Sequence, residues 1–93
     1  MKDIKWNALK NERLKKTRGV SFDDLLNSRL IGVFNHPVRE NQKLMLFEYK
    51  SYVWVVPFID ETDYYFLKTL FPSRKYTKLV KEQKHEKNKT DQR

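Results

Sequence analysis

Apolar residues are sparse over the first eighteen positions, alternate with polar ones through the middle of the chain, and stop after Val80. The pattern predicts strand, helix, helix, four strands, helix. Asp3–Trp6 reads as a short edge strand. Asn7 suits the N-cap of a helix running to Arg18, and Gly19 suits the left-handed position that follows a helix end. Within that helix the apolar positions are Ala8, Leu9 and Leu14, so its buried stripe is narrow and much of its surface faces solvent or a ligand. A second helix starts at Ser21, with Asp24 at the capping-box position and Val20 placed to staple against Leu25. It stops near Ser28, and Asp23 and Asp24 are read as structural acids at its positive end.

The middle of the chain reads as strands. Leu30–His36 is ended by Pro37. Lys43–Tyr49 puts Lys43, Met45, Phe47 and Tyr49 on one face and Leu44, Leu46 and Glu48 on the other. Tyr52–Ile59 is apolar on both faces and therefore central, with Pro57 marking a bulge or a local edge. Lys50-Ser51 is short enough for a hairpin, but neither residue favours a type I′ turn, which leaves the register open. Tyr64–Phe71 is the last strand, with Lys68 on the face of Tyr64, Phe66 and Leu70. Pro72 ends it, and Ser73 caps a basic helix from Arg74 to about Gln83. One domain is expected over residues 1–83, and residues 84–93 form a polar, basic tail expected to be disordered or loosely helical. The expected class is α+β. An antiparallel four- to five-stranded sheet carries two N-terminal helices and one C-terminal helix, all on one face.

Charge changes this picture. Residues 1–18 carry seven Lys/Arg against two acids, residues 19–62 four against six, and residues 63–93 nine against four, within a net charge of +8. Basic ends around an apolar middle suit a polyanion-binding surface, and equally a solvated, soluble one. The chain has no Cys, which excludes a disulfide framework and Cys-based zinc sites. Its two His, His36 and His85, do not make a metal site. The N-terminus lacks the apolar core of a signal peptide and no apolar run reaches membrane length, so a cytoplasmic protein without membrane contact is expected.

The residues Trp6-Asn7, Lys10-Asn11 and Arg18-Gly19-Val20-Ser21-Phe22-Asp23-Asp24 resemble the start of BrnT-type toxins. The run Pro72-Ser73-Arg74-Lys75-Tyr76-Thr77 is similar to that family's last strand and basic C-terminal helix. Order and spacing agree over roughly residues 3–80. Two departures stand out: Arg18 occupies a place where the family usually has His, and Asn35–Lys43 follows no family pattern. The resemblance implies a RelE-like ribonuclease toxin of a type II toxin–antitoxin system that cuts mRNA and inhibits translation. It implies as partner a cognate DNA-binding antitoxin, of ribbon-helix-helix type, through which operator DNA is reached only indirectly.

Such an enzyme needs a base for the 2′-OH, cations for the pentacoordinate phosphate and an acid for the 5′-oxygen. No acidic cluster suggests a two-metal site, so a metal-free, cofactor-free route is expected. Arg74 is the leading candidate. It stands in the first turn of a helix, where backbone N–H groups favour phosphate, and it matches the family's Arg. Its structural alternative is a surface ion pair. His36 suits acid or base chemistry or a loop hydrogen bond. Arg39 and Lys43 would add charge beside His36. Glu48 is either a base or the partner of a neighbouring cation, and Lys68 either lines the active face or snorkels. Lys10, Arg13, Arg18, Lys75 and Lys78 are candidate RNA contacts. Trp6, Tyr49, Tyr52 and Tyr76 are candidate stacking residues, each with a core role as its alternative. A non-catalytic RNA- or DNA-binding module, and an interaction protein whose basic tail docks an acidic partner, are the competing readings.

Overall fold

The computed structural model describes residues 2–91, with side chains described for residues 2–83. In chain order the elements are β1 (Asp3–Trp6), α1 (Ala8–Arg18), α2 (Phe22–Leu26), β2 (Arg29–Asn35), β3 (Gln42–Tyr49), β4 (Tyr52–Asp60), β5 (Tyr64–Leu67), β6 (Phe71–Pro72) and α3 (Arg74–Asp91). The tail expected from residue 84 concerns side chains outside the described residues.

After β1 the chain forms a helical corner. Asn7 caps α1 by accepting from the Lys10 N–H, and Gly19 ends it at φ 75°, where a Cβ would be strained. The corner holds one full helix rather than two. Its other element, α2, is a single turn of five residues, held by the expected capping box of Ser21 and Asp24.

The sheet has six strands rather than four or five. Five lie in the order β1-β5-β4-β3-β2, and β6 pairs with β4. Nor is it wholly antiparallel: β1 runs parallel to β5, with Asp3 opposite Tyr64 and Trp6 opposite Leu67. A parallel neighbour needs a long crossover, and residues 7–63 supply it, so the pairing lies beyond any local sequence pattern. The β3–β4 hairpin closes through Lys50 and Ser51, both at positive φ, with Tyr49 opposite Tyr52. This resolves the register through a backbone shape these residue types disfavour.

The helices lie on both faces, not one. On the first face Leu14, Val20, Phe22 and Leu25 from the corner pack with Met45, Phe47, Val56 and Phe58 of the sheet. Burying a side chain such as Phe22 stabilises by roughly 1.5–3 kcal/mol. On the second face Tyr76 and Val80 of α3 pack on Leu44, Leu46, Val53 and Val55. Two bonds hold α3 to that side: Ser73 N–H donates to the Val53 carbonyl at 2.9 Å, and Val53 N–H donates to Thr77 Oγ1 at 2.8 Å.

Candidate nucleic-acid interface

Pro57 opens the sheet where the groove forms. Lys68 N–H donates to the Pro57 carbonyl at 2.8 Å. In an antiparallel ladder a residue's N–H and C=O point to the same neighbour, and Pro57 has no N–H to return the bond. The β4–β5 pairing therefore ends at Phe58 opposite Leu67. The chain departs over Lys68–Leu70 and rejoins β4 as β6, with Phe71 opposite Val55. Pro57 is thus the local edge its residue type suggested. The single strand expected over Tyr64–Phe71 is split in two, and Leu70 turns away from Tyr64 and Phe66 to become fully buried in the first core.

Two adjoining cavities, about 370 and 260 Å³, open at this break and share Lys10 and Lys68. The larger lies between the start of α1 and the end of β5, against Asn7, Leu9, Arg13 and Phe66. The smaller is lined by His36, Arg39 and Gln42 from the β2–β3 turn, together with Pro57 and Thr69. Three segments distant in sequence thus bring Lys10, Arg13, His36, Arg39 and Lys68 to one groove. No Asp or Glu lines either cavity.

Three carboxylates hold cations elsewhere. Asp60 takes Lys2, and Lys43 at 3.7 Å; Asp24 takes Lys15 at 2.8 Å; Glu48 takes Arg29 at 3.0 Å. The hydrogen bond from Lys15, followed by that from the Ser21 backbone N–H, holds the Asp24 carboxyl below the usual carboxylate range and raises Lys15. Lys2 does the same for Asp60 and is itself raised. By contrast, among the described residues Lys10, Arg13, Arg39 and Lys68 form no ion pair.

His36 is half-buried, and its Nδ1 accepts two backbone hydrogen bonds, from Val38 and Arg39, each at 3.0 Å. This network assigns the proton of the neutral ring to Nε2, which is therefore a donor. The same two bonds fix the turn that carries Arg39.

Several candidates fall outside the groove. Strand alternation carries Lys43 to the face opposite His36, where it pairs with Asp60. Glu48 is held by Arg29, its cross-strand neighbour. Arg18 donates a guanidinium N–H to the Leu70 carbonyl and ties α1 to the chain after β5. Arg74 is exposed at the first residue of α3, next to Ser73, which bonds Val53 four residues along β4 from Pro57; Lys75 and Lys78 are exposed on the same helix. Trp6 packs against Phe22 at 5.7 Å between ring centroids, Tyr49 on the first core and Tyr76 on the second, while Tyr52 is half-buried at the hairpin. The phenyl ring in the groove is Phe66, which was not among the stacking candidates read from the sequence. Its signal was its place two residues before Lys68 on the same strand face. Asn7, Gln42 and Thr69 were also missed as site residues.

Among the described residues no group of three or more His, Asp and Glu side chains is placed to hold a metal ion, and no helix is long and apolar enough to cross a membrane.

This α+β chain, with its mixed sheet, N-terminal helical corner and C-terminal helix on the opposite face, superposes at the level of the fold on a ribonuclease toxin of known structure. That structure is the crystal structure of the Brucella abortus ribonuclease toxin BrnT. It is 12% identical to this chain and superposes with a TM-score of 0.53 over 78% of this chain and 97% of its own. The two share a fold. No family model matches the sequence. No curated protein matches it either.

Proposed function

We propose that this chain is a metal-independent ribonuclease toxin, and that the groove of Lys10, Arg13, His36, Arg39 and Lys68 is where it holds RNA. The observation that carries the reading is the convergence of Lys10, Arg13, Arg39 and Lys68, without an ion pair among the described residues, on one groove of a fold shared with a ribonuclease toxin. A phosphodiester bound across Lys10 and Lys68 would meet positive charge on several sides, which stabilises the pentacoordinate phosphorane. The substrate's 2′-oxygen attacks phosphorus, the bond to the 5′-oxygen breaks, and the leaving oxygen, held by a hydrogen bond from His36 Nε2–H, takes a proton from water. The products are a 2′,3′-cyclic phosphate and a 5′-OH. No carboxylate lines the groove, so the 2′-OH proton passes to water at its open mouth. The groove's contribution is then mainly electrostatic, with Arg39 and the two lysines as phosphate contacts. Arg74, roughly 13 Å along β4 from Pro57 at about 3.3 Å per residue, is assigned to a neighbouring phosphate rather than the reacting one.

Cleavage of mRNA would inhibit translation in the cytoplasm. A cognate antitoxin, with a ribbon-helix-helix DNA-binding domain, would neutralise it. Expression without that partner should arrest growth, and purified protein should cut single-stranded RNA in the presence of EDTA, leaving cyclic phosphate ends. RNA left intact under these conditions refutes the enzyme. Arg74→Ala should lower cleavage less than Lys68→Ala; the reverse order moves the reacting phosphate to the start of α3.

One observation favours a second reading, a non-catalytic RNA- or DNA-binding module: the groove presents donors but no carboxylate base. That reading expects salt-sensitive binding without cleavage.

A further inference from the structure

We infer that the larger cavity is a nucleobase pocket, in which an unpaired base stacks on the Phe66 ring beside a phosphate held by Lys10 and Lys68. The inference rests on the RNA reading above and narrows it to single-stranded RNA. The two cavities differ in chemistry while sharing their cations. The smaller is polar, with His36, Arg39, Gln42 and Thr69 and no Phe, Tyr or Trp ring. The larger has Phe66 from β5 on one side and Leu9 from α1 on the other, flanked by Lys10 and Arg13. A nucleic acid strand repeats the same alternation of anionic phosphate and apolar aromatic disc.

The walls fit such a disc. Leu9 is 70% exposed, a large apolar side chain in a solvated first turn with no packing role in either core. Phe66 is half-buried at the end of its strand. At about 370 Å³ the cavity is of the size that small ligands occupy. The Lys68 ammonium lies 5.8 Å from the Phe66 centroid, near the outer limit of a cation–π contact, so its transfer to a phosphate gives up little. Asn7 Oδ1 accepts from the Lys10 N–H, which leaves the Nδ2 amide to donate to an acceptor on the base edge. A paired base cannot enter, because its faces are covered by its neighbours in the stack.

Short single-stranded RNA carrying 2-aminopurine, scanned one position at a time, tests the pocket on the full chain, with anisotropy reporting binding and fluorescence reporting stacking. Wild type should quench the probe strongly at one position, and an abasic nucleotide there should weaken binding roughly 5- to 150-fold, the range of one base–aromatic stack. Phe66→Leu should abolish quenching at that position and weaken binding to a similar degree, while Phe66→Tyr restores both. The abasic scan needs no variant, so it stands even where Phe66→Leu fails to fold. RNA binding with uniform quenching and no sensitive abasic position overturns the pocket and leaves the RNA reading intact. RNA that does not bind wild type at all overturns both. Equal affinity for duplex and single strand overturns the restriction to unpaired bases, and with it the pocket.

Discussion

Two regions draw on the same basic helix and use it in opposite ways. At the corner between α1 and α2 the polar side chains are tied to the protein. Asn11 Nδ2 donates to Asp23, and Asn11 Oδ1 accepts from Phe22 N–H at 2.7 Å. Lys15 reaches Asp24, and Arg18 reaches the Leu70 carbonyl. One to two turns earlier, Lys10 and Arg13 reach no carboxylate among the described residues and face a groove with Arg39 and Lys68. Nothing in composition separates Lys10 from Lys15. What separates them is the partner, and a cluster of cations without internal anions is a field that favours an external one.

The sharpest way to break this contrast is to remove cations from each side. Lys10→Ala or Lys68→Ala should lower RNA cleavage by roughly 10²–10³, the scale of losing one transition-state contact. Lys15→Ala should leave cleavage per folded molecule unchanged. Both groove variants should melt at or slightly above the wild-type temperature, because removing an unpaired cation relieves repulsion. A cleavage defect in Lys15→Ala equal to that in Lys10→Ala would erase the distinction.

The corner should show the complementary behaviour. Asn11→Ala strips the acceptor from the Phe22 N–H and should destabilise by roughly 1–3 kcal/mol, the cost of an orphaned, poorly solvated donor. Ser21→Ala, which removes half of the capping box, should cost about 1 kcal/mol. Thermal or urea melts measure both, and cleavage normalised to the folded fraction should not move. A neutral Asn11→Ala would mean that the corner's hydrogen bonds are replaceable by water.

Salt separates the regions more gently. For single-stranded RNA the log–log slope of affinity against salt changes by about 0.7 per phosphate contact. Lys10→Ala and Arg39→Ala should each flatten the slope by about that amount, and Lys16→Ala by much less. Identical slopes for all three would indicate binding spread over the whole basic surface.

The same contrast explains what could be read in the sequence. Asn7, Gly19, Ser21 and Asp24 act within about four residues of themselves, so their roles were local and legible. Most of the motif that resembles BrnT-type toxins proves to be this corner: Asn11, Arg18, Gly19, Ser21 and Asp24 all have bonds or backbone roles in it, while Lys10 and Asn7, the cap of α1, line the groove. A resemblance carried by such residues speaks to fold before it speaks to chemistry. The parallel β1, the side chosen by α3 and the meeting of Lys10 with His36 were not legible, since each depends on contacts between segments far apart in the chain. Lys43 is a different case. It had been placed on the strand face of Met45 and Phe47, and that face is the corner's core, so alternation alone separated it from Arg39. Pro57 was legible as a break, though not as the origin of the groove.

The smallest effect concerns acid, and it spares the groove, which has no carboxylate to titrate; it falls on Asp24 in the corner and on Asp60, which pairs with Lys2. Asp24 has its folded pKa below the unfolded value of 3.8, chiefly through Lys15 and then the Ser21 N–H. A carboxyl depressed on folding adds stability that is complete above the unfolded value and is lost as the pH falls through the folded one. The window therefore lies below about pH 4. Asp24→Asn should melt below wild type at neutral pH, by less than Asn11→Ala. The gap should close on acidification, because the protonated Asp24 carboxyl and the amide that replaces it are both neutral partners for Lys15 and Ser21. Melts in a pH series from about 7 down to 2 follow the gap directly. A gap that stays constant across the series would show that the side chain acts through its hydrogen bonds and not its charge. Closure of the gap with unchanged RNA affinity per folded molecule would place the titrating carboxylate in the structural half of the molecule and leave the groove's charge intact.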